Sequence, residues 1–183
     1  MRIIAGEARG LPLTRPPKTV RPTMDRVRAA IFSSLGDAVP GAIVLDLFAG
    51  SGAMGIEALS RGAASAIFVD LEPGSVACVR DNLRKAKFQA SIQTMDAMKF
   101  LELYAAPESF DLIFADPPYS KLPGSRDFAA ELAVNKHLAA SLKPGGIFVI
   151  ERIRRSAIVE EPALECVRVK QYGESEVVYF RHP

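Results

Sequence analysis

From residue 42 onward, short apolar runs alternate with stretches of helical periodicity, and this alternation constrains the fold more than any other feature of the chain. Alternation of this kind predicts an α/β fold in which parallel strands are joined by crossover helices. The predicted strands cover residues 43–47, 65–70, 89–94, 110–115 and 146–151. The predicted helices cover residues 53–61, 74–86, 96–104 and 126–141.

The last twenty residues break this rhythm, because two strands follow each other with no helix between them. Residues 164–171 and 176–181 are joined through Tyr172-Gly173-Glu174, which is too short for a crossover. We therefore predict a seven-stranded mixed sheet that ends in an antiparallel hairpin. At roughly 150 residues per domain, the 183 residues provide one main domain, residues 37–183, and an extension, residues 1–36.

The extension is predicted to form a short hairpin and then a helix. Residues 2–5 and 11–14 flank a glycine-containing turn, and apolar residues at helical spacing follow a Thr23 N-cap. Residues 1–30 carry a net charge of +5, whereas the whole chain carries +2. This asymmetry suggests a polyanion such as a nucleic acid as partner, although a charged segment is more often a solvated face. The cations are Arg2, Arg9, Arg15, Lys18, Arg21, Arg26 and Arg28.

Composition excludes several other classes of protein. Hydrophobic residues make up 49% and charged residues 24% of the chain, which is typical of a folded globular domain rather than a disordered one. No apolar run approaches the roughly 18–20 residues that a membrane span needs. Cys78 and Cys166 lie far apart, with no histidine at metal-ligand spacing. We expect a reduced cytoplasmic protein without a metal site.

The segment around Gly50 predicts a cofactor-binding turn. A strand runs into Gly50, Gly52 and Gly55, which match the pattern G-x-G-x-x-G, and a helix follows. Asp70 ends the next predicted strand, where a carboxylate can accept both ribose hydroxyls of an adenosine-containing cofactor. The alternative is that these glycines serve packing alone.

Two further acids bear on the identity of that cofactor. A carboxylate at Asp46, beside the turn, repels a pyrophosphate but attracts the ammonium and sulfonium of S-adenosylmethionine, so we favour this cofactor over NAD. Asp46 can alternatively cap the loop. Asp96 follows the third predicted strand, where it can accept a hydrogen bond from an adenine amino group, and its alternative role is a helix N-cap.

The sequence Asp116-Pro117-Pro118-Tyr119 directly follows the buried strand 110–115 and predicts a site for amine chemistry. An exocyclic amine on a nucleobase is a poor nucleophile, because its lone pair is delocalised into the ring. The Asp116 carboxylate and the Pro117 carbonyl can accept its two hydrogens, and Tyr119 offers an aromatic face to a base turned out of its stack. The prolines hold the backbone rigid. The alternative is a structural loop.

Several motifs together resemble the RsmD family of bacterial 16S rRNA guanine-N2 methyltransferases. They are RIIAGEARG at 2–10, RPTxDxVR at 21–28, DLFAGSG at 46–52, GIEALSRG at 55–62 and DPPY at 116–119. The resemblance implies a Rossmann-like class I S-adenosylmethionine-dependent methyltransferase that acts on one guanine, with 16S rRNA in assembling small subunits as its partner. The residues implied for cofactor binding are Asp46, Phe48, Ala49, Gly50, Ser51, Gly52, Asp70, Leu71, Asp96 and Ala97. Those implied for methyl transfer are Asp116, Pro117, Pro118 and Tyr119, and those for RNA binding are Arg2, Arg9, Arg15, Arg21, Arg26 and Arg28.

Three alternatives to this function remain open at the level of sequence. The pocket can take an adenine, a cytosine or a glutamine side chain instead of guanine. The glycine pattern also occurs in NAD-dependent oxidoreductases. The basic extension alone suffices for an RNA-binding module without catalytic activity.

Overall fold

A computed structural model of the chain describes residues 1–16, 25–118, 126–154 and 164–183. Within these ranges the strands are β1 (Ile43–Leu47), β2 (Ser65–Asp70), β3 (Ser91–Thr94), β4 (Phe110–Ala115), β5 (Leu142–Ile153), β6 (Glu165–Tyr172) and β7 (Ser175–Arg181). The helices are α1 (Asp25–Leu35), α2 (Ala53–Ser60), α3 (Pro73–Ala86), α4 (Ala97–Leu103), α5 (Phe128–Ala133) and α6 (Lys136–Ser141). None of these helices has the length and apolar character that crossing a bilayer requires.

All seven strands belong to one sheet, in the order β3-β2-β1-β4-β5-β7-β6. The first five strands pair in parallel, and β7 pairs antiparallel with both β5 and β6. This arrangement confirms the predicted mixed sheet with its antiparallel C-terminal hairpin. The strand order reverses beside β1, so the carboxyl ends of β1 and β4 border the crevice where α/β proteins bind ligands.

The prediction of one helix over residues 126–141 is wrong in its continuity. The helix stops after Ala133 and restarts at Lys136. The side-chain oxygen of Asn135 accepts hydrogen bonds from the main-chain N–H groups of His137 and Leu138, each at 2.9 Å. Asn135 is therefore the N-cap of a new helix, because these N–H groups have no partner within the helix itself.

The two faces of the sheet carry different layers of helices. Alternate strand residues point to opposite faces, so Val44 packs with α1, α2 and α3, whereas Leu45 packs with α4, α5 and α6. The first layer also includes Ile3 and Leu13 from the N-terminal residues. The N-terminal residues thus share a hydrophobic core with the main domain, and the division at residue 36 stays a prediction.

The predicted N-terminal hairpin is present in reduced form. Its pairing consists of one isolated bridge between Arg2 and Pro12, supported by the Ile3 N–H donating to the Leu11 carbonyl at 3.0 Å. Gly6, at the turn, lies directly on α2, because a Cβ there would be 1.7 Å from the Ser60 carbonyl oxygen. The predicted cap Thr23 lies outside the described residues, and α1 is described from Asp25 onward.

The two outer strands of the sheet differ in length and charge. At one edge, β3 has only four residues. At the other, β6 is mostly exposed, carries Glu165, Arg168 and Lys170, and changes its register with β7 between Cys166 and Arg168.

Candidate active site

The ends of three neighbouring strands bring the predicted site residues together. Leu47, the last residue of β1, is level with Val69 of β2 on one side and with Ala115 of β4 on the other. Asp70 and Asp116 therefore follow at the same level on the two strands that flank β1. Two strand spacings separate them, which is roughly 10 Å.

The turn between β1 and α2 has a left-handed backbone at three positions. The φ angles are 57° at Phe48, 54° at Gly50 and 76° at Gly52. A left-handed phenylalanine costs roughly 1–3 kcal/mol. The Phe48 ring packs edge-on against Phe128 with 5.3 Å between the ring centroids, so the strained residue joins the turn to the segment that follows β4.

Glycine is needed at the three positions of the turn for different physical reasons. A Cβ on Gly55 would lie 2.4 Å from the Phe68 ring, and one on Gly52 would lie 3.3 Å from Phe68 and Val79. These two glycines allow α2 to pack on β2 and α3, as the packing alternative supposed. At Gly50 the nearest atom would be 3.9 Å away, so this position is open to a ligand and requires glycine for its positive φ alone.

Asp46 lies beneath the turn in a buried position. Its Oδ2 accepts a hydrogen bond from the Gly55 N–H at 2.9 Å, which caps the beginning of α2. Burial, together with the charges of Asp116 and Asp70, raises the pKa of Asp46 to about 8, although this hydrogen bond acts in the opposite direction. The three carboxylates therefore act on one region of space. A cationic group bound there would relieve their mutual repulsion, so these residues fit a cofactor with a positive charge.

Asp70 ties the end of β2 to the glycine turn. Its Oδ2 accepts from the Gly50 N–H at 2.7 Å, and its Oδ1 accepts from the Glu72 N–H at 2.9 Å. A carboxylate offers about four lone-pair positions, so both oxygens can still accept from the hydroxyls of a ribose. Leu71, directly after it, is 60% exposed and presents an apolar surface at the same edge.

Asp96 is the N-cap of α4, and Ala97 is the buried first residue of that helix. Asp96 Oδ1 accepts hydrogen bonds from the main-chain N–H groups of Met98 and Lys99 at 2.9 and 3.1 Å. Its Oδ2 lies 4.0 Å from the guanidinium of Arg126, which stacks on the Phe128 ring at 4.4 Å. The capping alternative is therefore correct, and a role toward adenine stays a prediction.

The Asp-Pro-Pro segment lies directly after β4, as predicted from the sequence. Asp116 is half-buried, Pro117 is buried and Pro118 is exposed. Tyr119 lies outside the described residues. The carboxylate of Asp116 is near enough to Asp46 to raise the pKa of that residue. Hydrogen-bond acceptors after β4 thus lie beside a site suited to a cation after β1.

The side chain of Ser51 is directed away from the open side of the turn. Ser51 is 9% exposed, and its Oγ lies 3.7 Å from the sulfur of Met1. Its carbonyl accepts a hydrogen bond from the Asn82 side chain at 2.9 Å. Any contact of Ser51 with a cofactor would therefore involve its main chain.

One of the six predicted RNA contacts is wrong. Arg28 is fully buried and donates to the Arg2 carbonyl and, at 3.0 Å, to Asp25 Oδ1. Its Nε lies 3.8 Å from the Glu57 carboxylate, and burial lowers the pKa of its guanidinium. Arg28 thus holds the N-terminal residues together and does not reach a phosphate. Arg21 lies outside the described residues, and the other four are exposed: Arg2, Arg9, Arg15 and Arg26.

Sequence reasoning missed the role of Glu57. This fully buried carboxylate accepts from the N–H groups of Ile4 and Ala5 at 2.7 and 3.1 Å and from Arg61 Nε at 2.7 Å. Glu57 and Ser60 on α2 bind the N-terminal turn, so the motif GIEALSRG is the docking surface for RIIAGEARG. The available signal was an acid within an otherwise apolar helix.

Comparisons with known proteins agree with this geometry. A family model described as "Conserved hypothetical protein 95" matches residues 1–181. The chain is 42% identical to "Putative rRNA methyltransferase YlbH" of Bacillus subtilis over 125 residues, which cover 66% of the chain and 68% of that protein. It is 39% identical to "Ribosomal RNA small subunit methyltransferase D" of Escherichia coli over 123 residues, 66% of the chain but 61% of that protein. The solved structure "Putative methyltransferase yhhF from Escherichia coli" superposes with a TM-score of 0.84 at 30% identity. The match covers 100% of this chain and 97% of the chain in that structure.

Proposed function

The chain belongs to the RsmD family, and we propose that it methylates the exocyclic N2 amine of one guanine in 16S rRNA, with S-adenosylmethionine as the methyl donor. Its sheet and helices form the Rossmann-like fold of S-adenosylmethionine-dependent methyltransferases. The names of its relatives support an rRNA substrate. The restriction to guanine N2 rests on the family and on the chemistry of Asp116.

The cluster of Asp46, Asp70 and Asp116 around the glycine turn carries this proposal. Burial first, and the nearby charges of Asp116 and Asp70 in addition, raise the pKa of Asp46, so a cation bound beside it would favour its charged form. S-Adenosylmethionine supplies a transferable methyl group on a positively charged sulfur. Asp46 favours this charge, Asp70 accepts from the ribose, and Asp96 with Leu71 borders the adenine.

Asp116 and Pro117 act on the acceptor base. The Asp116 carboxylate and the Pro117 carbonyl accept the two hydrogens of the guanine amine, which directs its lone pair toward the donor methyl group. The amine becomes acidic once it is methylated, so no strong base is needed to remove the proton. Rate enhancement then comes from in-line positioning and a preorganised polar site. Tyr119 stacks on the flipped base in this proposal.

The exposed cations of the N-terminal segment hold the RNA in this proposal. Arg2, Arg9, Arg15 and Arg26 are accessible to phosphates, whereas the acidic cluster of the cofactor site is not suited to them. Since phosphate contacts position a nucleic acid without reading its sequence, these residues align the rRNA and the pocket selects the base. The base must be accessible, so we propose partly assembled small subunits as the substrate.

The test is incubation with labelled S-adenosylmethionine and small subunits from cells that lack the gene. The expected product is label on a single guanine, identified by mapping the modified nucleotide and by mass spectrometry of the nucleoside as N2-methylguanosine. Subunits from cells that contain the gene are the control and should accept no label. Label on adenine, on cytosine or on a glutamine side chain would overturn the guanine proposal, and label on DNA would overturn the rRNA proposal.

Two other rival functions are separated by simpler measurements. Calorimetric titration with S-adenosylhomocysteine and with NAD distinguishes a methyltransferase from an oxidoreductase, and only the first ligand should bind. An RNA-binding module without catalysis predicts that wild-type protein transfers no methyl group to any small-subunit preparation.

A further inference from the structure

Asn82 lies in the C-terminal half of α3, fully buried, and its side chain joins two segments that are distant in sequence. One is Thr14 of the N-terminal segment, and the other is Ser51 of the glycine turn. We propose that Asn82 is a positioning residue that couples rRNA binding by the N-terminal segment to cofactor binding by the turn. This inference rests on the proposed function, because it assigns the N-terminal segment to rRNA and the turn to S-adenosylmethionine.

The contact with Thr14 is a complete main-chain pairing. The Thr14 N–H donates to Asn82 Oδ1 at 2.8 Å, and Asn82 Nδ2 donates to the Thr14 carbonyl at 3.0 Å. The carboxamide therefore satisfies both main-chain groups of Thr14, as a neighbouring strand would. The Thr14 carbonyl also accepts from Cys78 Sγ at 3.1 Å, so the bond from the Thr14 N–H to the buried Asn82 Oδ1 is the one whose loss leaves a main-chain group without its partner.

The same Nδ2 donates to the Ser51 carbonyl at 2.9 Å. Ser51 stands between Gly50 and Gly52, so this carbonyl belongs to the left-handed part of the turn. On the other side of the turn, the Gly50 N–H donates to Asp70 at 2.7 Å. The turn is thus fixed between a carboxylate at the proposed ribose site and a carboxamide that faces the N-terminal segment.

A second contact links the same two segments. The hydroxyl of Ser51 lies 3.7 Å from the sulfur of Met1, so both ends of the described N-terminal segment approach this one residue of the turn. Arg15, directly after Thr14, is exposed and is a proposed phosphate contact. A phosphate bound at Arg15 is therefore separated from the turn only by Thr14 and one side-chain amide.

Coupling follows because one hydrogen-bonding group serves both binding events. RNA bound at Arg15 restricts Thr14 further, and through the Asn82 amide it restricts the Ser51 carbonyl. A cofactor then binds a turn that is already in place, at a lower entropic cost. The coupling must be reciprocal, since each ligand changes the affinity for the other by the same factor.

The experiment measures the affinity for S-adenosylhomocysteine with and without saturating small subunits from cells that lack the gene. For the wild type we expect the subunits to raise this affinity by about fivefold or more, the lower end of typical coupling. For Asn82→Asp, which keeps the acceptor but removes both donated bonds, the expected ratio is close to one. Thr14→Val is the matched control, because it removes only the side-chain contacts of Thr14 with Asp81 and Lys85 and should keep the wild-type ratio.

A wild-type ratio of one, or an Asn82→Asp ratio equal to that of the wild type, would overturn the coupling. If Asn82→Asp does not fold, hydrogen exchange on the wild type decides. S-Adenosylhomocysteine should then slow exchange of the Thr14 amide, and unchanged exchange there would overturn the inference. The methyl-transfer assay separates the two proposals, because wild-type transfer to rRNA with no coupling leaves the function intact and removes only the role of Asn82.

Discussion

The Gly50 N–H donates to the carboxylate of Asp70 at 2.7 Å, and this bond joins the glycine turn to the end of the neighbouring strand. The acid predicted to bind a ribose therefore also shapes the turn on which the ribose would rest. Its substitution is expected to affect cofactor binding in two ways, by removing an acceptor and by releasing the turn.

Asp70→Ala is expected to weaken binding of S-adenosylhomocysteine by about 10- to 100-fold, because a hydrogen bond to a charged group contributes about 1.5–3 kcal/mol. Calorimetric titration measures the affinity. Glu72→Ala is the matched control, since the Glu72 main-chain N–H bonds to Asp70 whereas its exposed side chain has no part in the proposed site. Equal losses in the two variants would mean that Asp70 does not contact the cofactor.

Asp116→Asn is expected to lower kcat by about 100-fold or more and to change the affinity for S-adenosylhomocysteine little. The amide oxygen can still accept one hydrogen of the guanine amine, but it carries no charge and is therefore a weaker acceptor than the carboxylate. Single-turnover methyl transfer measures the rate. Asp37→Asn, at an exposed position before β1, serves as control. A large loss of cofactor affinity with an unchanged rate would place Asp116 in the cofactor site instead.

The affinity for S-adenosylmethionine is expected to rise with pH up to about pH 8, the pKa of Asp46. Below that pH the buried carboxyl must lose a proton before it can attract a cation, which costs up to tenfold in affinity per pH unit. Asp46→Asn lacks this titration, and the ligand's own groups titrate equally in both proteins. The affinity of the wild type divided by that of Asp46→Asn should therefore increase by about tenfold or more between pH 6.5 and pH 9. A constant ratio would exclude Asp46 as the partner of the cation.

The stability of the free protein should fall with rising pH because of Asp46, whereas the affinity for S-adenosylmethionine should rise. Folding raises the pKa of Asp46 from 3.8 to about 8, so the folded state holds a proton that the unfolded chain has lost. Its stabilising contribution is complete below pH 4 and is lost as the pH rises toward 8. Asp46→Asn should match the wild type near pH 4.5 and exceed it by on the order of a few kcal/mol at pH 8.5. Chemical denaturation at the two pH values tests this, and equal stability at pH 8.5 would contradict it.

Arg28→Ala and Arg26→Ala should have different effects although the residues are near neighbours. Arg28 is buried against Asp25, Glu57 and the Arg2 carbonyl, so its loss is expected to cost about 3–5 kcal/mol of stability. Arg26 is exposed, so its loss should leave the melting temperature nearly unchanged. It should reduce the slope of log RNA affinity against log salt concentration by about one, as expected for the loss of one phosphate contact. Melting curves and binding at several salt concentrations measure the two effects. Similar melting temperatures would mean that Arg28 is not structural.

The arrangement of the strands could be predicted because it follows from hydrophobic periodicity. Once the strands are parallel, their carboxyl ends meet at one edge, and the strand order of a Rossmann-like fold then brings Asp70 and Asp116 to either side of β1. The same logic placed Asp46 beside the glycine turn. It offered capping as one role of Asp46 but could not predict that Asp46 is buried and accepts from the Gly55 N–H, since this depends on how α2 packs.

Other features depend on tertiary contacts that leave no local pattern. Asn135 caps a second helix inside an apolar stretch that has helical periodicity on both sides. Phe48 adopts a left-handed conformation that its residue type disfavours, with its ring against Phe128. The sequence predicts an RNA contact for Arg28 and shows Glu57 only as an acid within an apolar helix, and the packing of the N-terminal residues on α2 brings the two together.

The shape of the sheet's borders bears on how the protein behaves at high concentration. A free strand is a template onto which another molecule can add its own strand, the first step of many aggregates. Here the border formed by β3 is only four residues long, and β6 has an irregular register and the charges of Arg168 and Lys170. Both borders thus carry features that discourage another molecule from adding its own strand.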